Sequence, residues 1–121
     1  MKKILIIEDD AFLQGLELNK LKKEGYEVIT ASSGEEGMAK INEPEISFIL
    51  LDLVLPNFDG FDILKKIRET ETTKTTPVIV FSNLSEDKDI EKATQLGATD
   101  FMVKSNFTLD ELTERIGKEI K

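Results

Sequence analysis

The chain has 121 residues, 40% hydrophobic and 33% charged, with no Cys and no His. That suits one small globular domain and excludes disulfides, thiolate or imidazole metal sites and a histidine phosphocarrier. The formal net charge of -8 argues against direct nucleic-acid binding, and the lack of any membrane-length apolar run or signal peptide predicts a cytoplasmic protein.

Lys3–Ile7 is a short, mostly apolar run that ends on Glu8 and Asp9, the pattern of a strand covered on both faces. Asp10 fits the cap of a first helix striped by Leu13, Leu16 and Leu21, and Gly25 fits its left-handed end. Tyr26–Ala31 mixes polar and apolar residues, which suits an edge strand. Ser33 and Glu36 form the capping box of a second helix marked by Met38, Ala39 and Ile41. The apolar run Ile46–Leu51 ends on Asp52. Asp59 then caps, and Gly60 opens closely packed, a third helix striped by Phe61, Leu64 and Ile67. Glu69–Thr76 reads as a solvated loop, and Pro77 starts a fourth strand, Val78–Phe81, which runs into Ser82. Ile90, Ala93 and Leu96 mark a fourth helix ended by Gly97, and the fifth strand, Phe101–Val103, runs into Lys104. Thr108 and Glu111 box a last helix striped by Leu109, Leu112, Ile116 and Ile120.

Strands alternating with helices predict an α/β fold: a single (βα)5 flavodoxin-like domain over residues 1–121, with no output domain. Right-handed crossovers favour a parallel five-stranded sheet of order 2-1-3-4-5 with helices on both faces. Strands one and three then flank the switch point, where ligands bind at the carboxyl ends. Glu8, Asp9 and Asp52 meet there, with Ser82 and Lys104 arriving from the next two strand ends. Two carboxylates 4 Å apart repel by about 4 kcal/mol at an effective dielectric of 20, and a hard cation relieves this. All-oxygen donors suit Mg²⁺. Asp52 is then a nucleophile toward phosphorus, with Lys104 and Ser82 sharing the phosphoryl oxygens.

Ile6-Ile7-Glu8-Asp9-Asp10, Leu51-Asp52-Leu53-Val54-Leu55-Pro56 with Asp59-Gly60, Phe81-Ser82 and Phe101-Met102-Val103-Lys104 occur in order, each ending a predicted strand. On these motifs the chain resembles, over essentially its whole length, the receiver domain of a two-component response regulator. The resemblance implies that Asp52 is the phosphoacceptor for a sensor histidine kinase or histidine phosphotransfer protein. It implies that Asp9 and Asp52 ligate Mg²⁺ by side chain, Val54 by its backbone carbonyl and Glu8 through water. Ser82 would move toward the phosphoryl group, Lys104 would pair with it, and Phe101 would be the aromatic switch. The altered surface of helix four, strand five and helix five would then engage a downstream effector protein. Such a domain is not an enzyme beyond hydrolysing its own aspartyl phosphate. Asp100 and Arg115 match positions that pair across dimers in the transcription-factor branch, but Ile90 stands where a basic residue is usual, so at most a weak homodimer is expected, and it is not favoured.

The departures carry their own expectations. The family's Pro after the lysine is absent from Lys104-Ser105-Asn106-Phe107. A non-Pro cis bond costs about 2.5–4 kcal/mol, yet Lys104 must reach the phosphate, which favours cis at Lys104-Ser105. Ser82 replaces the commoner Thr, and Phe101 the commoner Tyr, so any switch works through shape. Val54 and Leu84 are apolar where polar residues assist water attack, predicting slow phosphoryl loss. The altered lysine loop motivates one alternative, a phosphorylation-independent pseudo-receiver acting as an interaction module. A metal-dependent phosphohydrolase is disfavoured because Val54 replaces its second Asp, and a flavin protein because acids follow strand one.

Overall fold

The structure is a computed structural model and describes residues 1–120. Among the described residues, the main sheet is built from β1 (Lys3–Ile7), β2 (Glu27–Ala31), β3 (Ile46–Leu51), β4 (Val78–Ser82) and β5 (Asp100–Val103). The helices are α1 (Ala11–Lys23), α2 (Gly34–Lys40), α3 (Gly60–Glu69), α4 (Asp87–Gln95) and α5 (Leu109–Glu119). The sheet is parallel throughout, in the expected order 2-1-3-4-5. This is the flavodoxin-like arrangement, and Ile7 pairs with both Ala31 and Leu51, so β1 and β3 end side by side.

Period-two alternation splits the apolar strands between two cores. Ile4, Ile6, Phe48, Leu50, Ile79 and Phe81 pack with Leu21 of α1 and Leu112 and Ile116 of α5. Leu5, Ile7, Ile49, Leu51, Val78 and Val80 pack with Ile63, Leu64 and Ile67 of α3 and Ala93 of α4. Burial on both faces is why these strands read as unbroken hydrophobic runs.

Local signals set most boundaries. Asp10 Oδ1 accepts from the backbone N–H of Phe12 and Leu13 at 3.0 and 3.1 Å, and Asp59 Oδ1 from that of Phe61 at 2.9 Å. Gly25 and Gly97 exit α1 and α4 at φ +94° and +101°, which an L side chain rarely adopts. The Thr108–Glu111 capping box is complete. The Ser33–Glu36 box is half-made: Ser33 accepts from the Glu36 N–H, but Glu36 Oε1 accepts from Ser32 N at 2.6 Å instead of from Ser33.

Three expectations need correction. Leu16, placed in the buried stripe of α1, is half-exposed, and Glu17 takes the inward position between Leu13 and Leu21. Spacing of four on each side explains it, since residues 13, 17 and 21 share one face. Glu69–Thr76 is not merely solvated, because Thr73 and Thr76 are buried. Arg68 holds this segment, donating to the carbonyls of Thr73 and Thr76 at 3.1 and 2.7 Å and doubly to that of Gly97 at 3.0 and 2.8 Å. Finally, a small antiparallel hairpin, Val54–Leu55 with Phe58–Asp59, follows Asp52 where no strand was expected. Asn57 turns it at φ +56°, a conformation Asn tolerates.

Candidate functional site

Each acid reaches the site because a strand ends beneath it. Glu8 follows β1, is 2% exposed, and anchors there through Glu8 N to Ala31 O at 3.0 Å. Asp52 follows β3, is 4% exposed, and donates its own N–H to Ile7 O at 3.0 Å. Asp9 lies exposed at the rim. One carboxylate oxygen from each of Glu8, Asp9 and Asp52 lies within 4.8 Å of the others. Such a set of hard oxygen donors fits a small divalent cation.

Lys104 closes the pocket from the end of β5. Its Nζ lies 2.7 Å from Asp52 Oδ2 and 2.8 Å from Glu8 Oε1. The expected cis geometry is not found: no peptide bond among the described residues is cis, and Lys104–Asn106 forms a single 3-10 turn. The four-carbon stem spans to Asp52 from a trans backbone, so the cost of a cis bond is never incurred. The altered loop therefore leaves the lysine in place, which removes the reason for reading the site as inert.

The second oxygens of the two buried acids are also engaged. Asp52 Oδ1 accepts from Val54 N at 3.0 Å, and Glu8 Oε2 accepts from Asp10 N at 3.1 Å. Burial pushes the Glu8 carboxyl up to about 7; its bond from Lys104 opposes this, and the Asp52 charge adds to it. Burial by itself would lower the Lys104 ammonium, but the bonds to Asp52 and Glu8 outweigh it and raise the pKa.

Two glycines shape the loop that carries Asp52. A Cβ on Gly60 would stand 2.8 Å from the Leu53 carbonyl carbon and closer still to its Cα and oxygen. A Cβ on Gly34 would stand 2.6 Å from Phe58 Cβ and closer to its ring. The starts of α3 and α2 thus press directly on the chain after Asp52, α3 on Leu53 and α2 on Phe58 of the hairpin.

The remaining predicted residues are placed less simply. Ser82 is wholly buried at the end of β4, and its hydroxyl oxygen accepts a long bond, 3.4 Å, from Leu84 N. The Val54 side chain is half-exposed beside Asp52. Phe101 is half-buried against the core on the α3–α4 side. Asp100 and Arg115 form an ion pair with each other within the chain at 2.6 Å. Sequence reasoning missed Glu17, which is buried behind the pocket; the four-residue spacing from Leu13 and Leu21 was the available signal.

A family model described as the response regulator receiver domain matches residues 4–117. The chain belongs to that family, the receiver domains of two-component response regulators. It is similar to the transcriptional regulatory protein AfsQ1 of Streptomyces coelicolor, 38% identical over 101 residues, 84% of this chain and 43% of that protein. The chain spans about half the length of the curated relatives it matches. Among solved structures, a CheY-like receiver domain protein of Methanospirillum hungatei has a TM-score of 0.92 at 27% identity, covering 99% of this chain and 94% of that one. The receiver domain of the sensor histidine kinase PA1611 of Pseudomonas aeruginosa, with a magnesium ion coordinated in its active-site cleft, has a TM-score of 0.86 at 27% identity. That match covers 98% of this chain and 97% of the other. No helix among the described residues is long and apolar enough to cross a membrane.

Proposed function

We propose that this domain accepts a phosphoryl group on Asp52 in a Mg²⁺-dependent reaction and relays the change through the surface of α4, β5 and α5. The observation that carries this is the salt-bridged arrangement of Lys104, Asp52 and Glu8, with Asp9 beside them. Asp9 and Asp52 would hold the cation by side chain, Val54 by its carbonyl and Glu8 through water. When bound, the cation neutralises carboxylate charge and polarises phosphoryl oxygens.

The chain's own residues do the rest. An Asp52 oxygen attacks phosphorus and forms the new P–O bond, while the P–N bond of the donor phosphohistidine breaks. The electron pair leaves with the imidazole, which takes a proton from solvent. Lys104 exchanges its bond to Asp52 Oδ2 for one to a phosphoryl oxygen, keeping the added charge paired. Ser82 gives up its long bond from Leu84 N and turns its hydroxyl to the same group. That movement frees space behind the loop after β4, into which the half-buried Phe101 ring turns.

The donor is a sensor histidine kinase or a histidine phosphotransfer protein, and the reader of the α4–β5–α5 surface is an effector protein. The domain acts on no substrate but its own aspartyl phosphate. We expect incubation with Mg²⁺ and acetyl phosphate to add one phosphoryl mass to the wild type and none to Asp52→Asn. An unmodified wild type would instead favour an interaction module that works without phosphorylation.

A further inference from the structure

The inward face of α1 runs Leu13, Glu17, Leu21, and its middle member is an acid. Glu17 is 2% exposed, and neither carboxylate oxygen has a hydrogen-bond partner. An ionised carboxylate left so is costly, and such groups are ordinarily paired or neutralised. A leucine would satisfy the stripe equally well, so packing does not explain the acid.

Its electrostatic neighbours belong to the acidic pocket. Glu8 and Asp10 act on it from beyond β1, Asp52 from beyond β3 and Lys104 from beyond β5. On this side of the sheet α5 contributes the apolar Leu109, Leu112 and Ile116, and the ion pair of Lys20 with Asp110 joins α1 to α5 at the rim. Burial, reinforced by the Glu8 charge, pushes the Glu17 carboxyl up to about 8, with Lys104 pulling it back and Asp52 and Asp10 adding to the rise. No hydrogen bond joins Glu17 to Glu8, Asp9 or Asp52.

We propose that Glu17 is a proton-carrying regulator of the pocket, holding its proton while Glu8, Asp9 and Asp52 hold no cation and releasing it more readily when a divalent cation binds them. This rests on the metal reading given above. The step is a plain acid dissociation: the carboxyl O–H breaks, the electron pair stays on Glu17 and the proton passes to water. Its drive is the cation's charge, which cancels the field of Glu8 and Asp52 that opposes ionisation. The coupling is reciprocal, so an ionised Glu17 strengthens cation binding by the factor by which the cation favours ionisation.

Carboxyl ¹³C NMR of the whole chain, with Mg²⁺ alone as the probe, tests this. The Glu17 resonance is identified by its absence in Glu17→Gln, and Glu17→Met serves where the amide variant fails to fold. We expect the Glu17 midpoint to fall by about one unit when Mg²⁺ saturates. Calorimetry should show less proton release on Mg²⁺ binding in Glu17→Gln than in wild type, the remainder coming from Glu8. Between about pH 7 and 9, wild-type Mg²⁺ affinity should rise up to about tenfold more than that of the variant. Mg²⁺ shifts at Asp9 and Asp52 with an unmoved Glu17, or an ordinary carboxylate midpoint for Glu17, overturn this proposal alone. No Mg²⁺ response at Asp9 and Asp52 overturns the metal reading and this proposal with it.

Discussion

At the scale of single residues, Lys104 matters because it is one cation between two buried acids. Its raised pKa makes its stabilisation fully present below the unfolded lysine value and lost only as pH climbs through the folded one. Glu8 follows the same sign in a lower pH window. Its folded pKa of about 7 lies above the ordinary 4.5, so stability falls as pH rises between those values. Lys104→Gln removes the bond that holds Glu8 down, and should cost about 3 kcal/mol at neutral pH. The deficit should shrink toward pH 5, where Glu8 stays protonated; urea midpoints at the two pH values measure it, and a pH-independent deficit contradicts this reading. Val54 and Leu84 lead to a second expectation. With apolar side chains at these positions, the Asp52 phosphate should outlast a minute in Mg²⁺, and Val54→Asn should shorten its lifetime in a phosphate-release time course. Loss of the wild-type phosphate within seconds would contradict it.

The acids of the pocket were legible because each ends an apolar strand, where a charge has no packing reason to be. Glu17 was not, because an acid inside a helix ordinarily faces water; only its register with Leu13 and Leu21 betrays burial. The trans lysine loop was also out of reach, since a sequence does not state how far a flexible stem extends.

At the scale of elements, strand order and helix caps followed from local patterns, whereas the contacts between loops did not. The Asp52 loop is fixed by α3 approaching through Gly60. Gly60→Ala must displace the Leu53 backbone, and should cost about 1–3 kcal/mol in the denaturant midpoint while slowing phosphoryl uptake. Unchanged stability would mean that the loop yields freely. Arg68 ties the end of α3 to the Thr73–Thr76 segment and to Gly97 after α4. Nothing in a Thr-rich run announces an arginine that satisfies its carbonyls, which is why the segment read as solvated. Arg68→Met should speed amide exchange in residues 70–76 and around Gly97 while leaving β1 and β3 protected. Uniform exchange across the domain would show that Arg68 supports the whole fold and not these two turns.

At the scale of the whole molecule, two buried acids with raised pKa values give the domain an acid-leaning stability profile. The folded state binds protons more tightly than the unfolded state from about pH 4.5 to 7 at Glu8 and to 8 at Glu17. Stability should therefore decline as pH rises through that window. Glu17→Met should lessen the decline throughout that window and abolish it above about pH 7, and Mg²⁺ should raise the melting temperature by mass action at the folded site. A flat profile in the wild type, or one unchanged by Glu17→Met, contradicts this account. The same cluster of negative charge that costs stability without a cation would, on the proposed reading, give the pocket its affinity for one.

Borohydride reduces an acyl phosphate to an alcohol, so it marks the accepting residue permanently. After acetyl phosphate and Mg²⁺ treatment, peptide masses should place a homoserine at position 52 and leave Glu8 and Asp9 unchanged. Conversion at either of those acids, or at none of the three, would contradict the claim that the carboxyl after β3 receives the phosphoryl group.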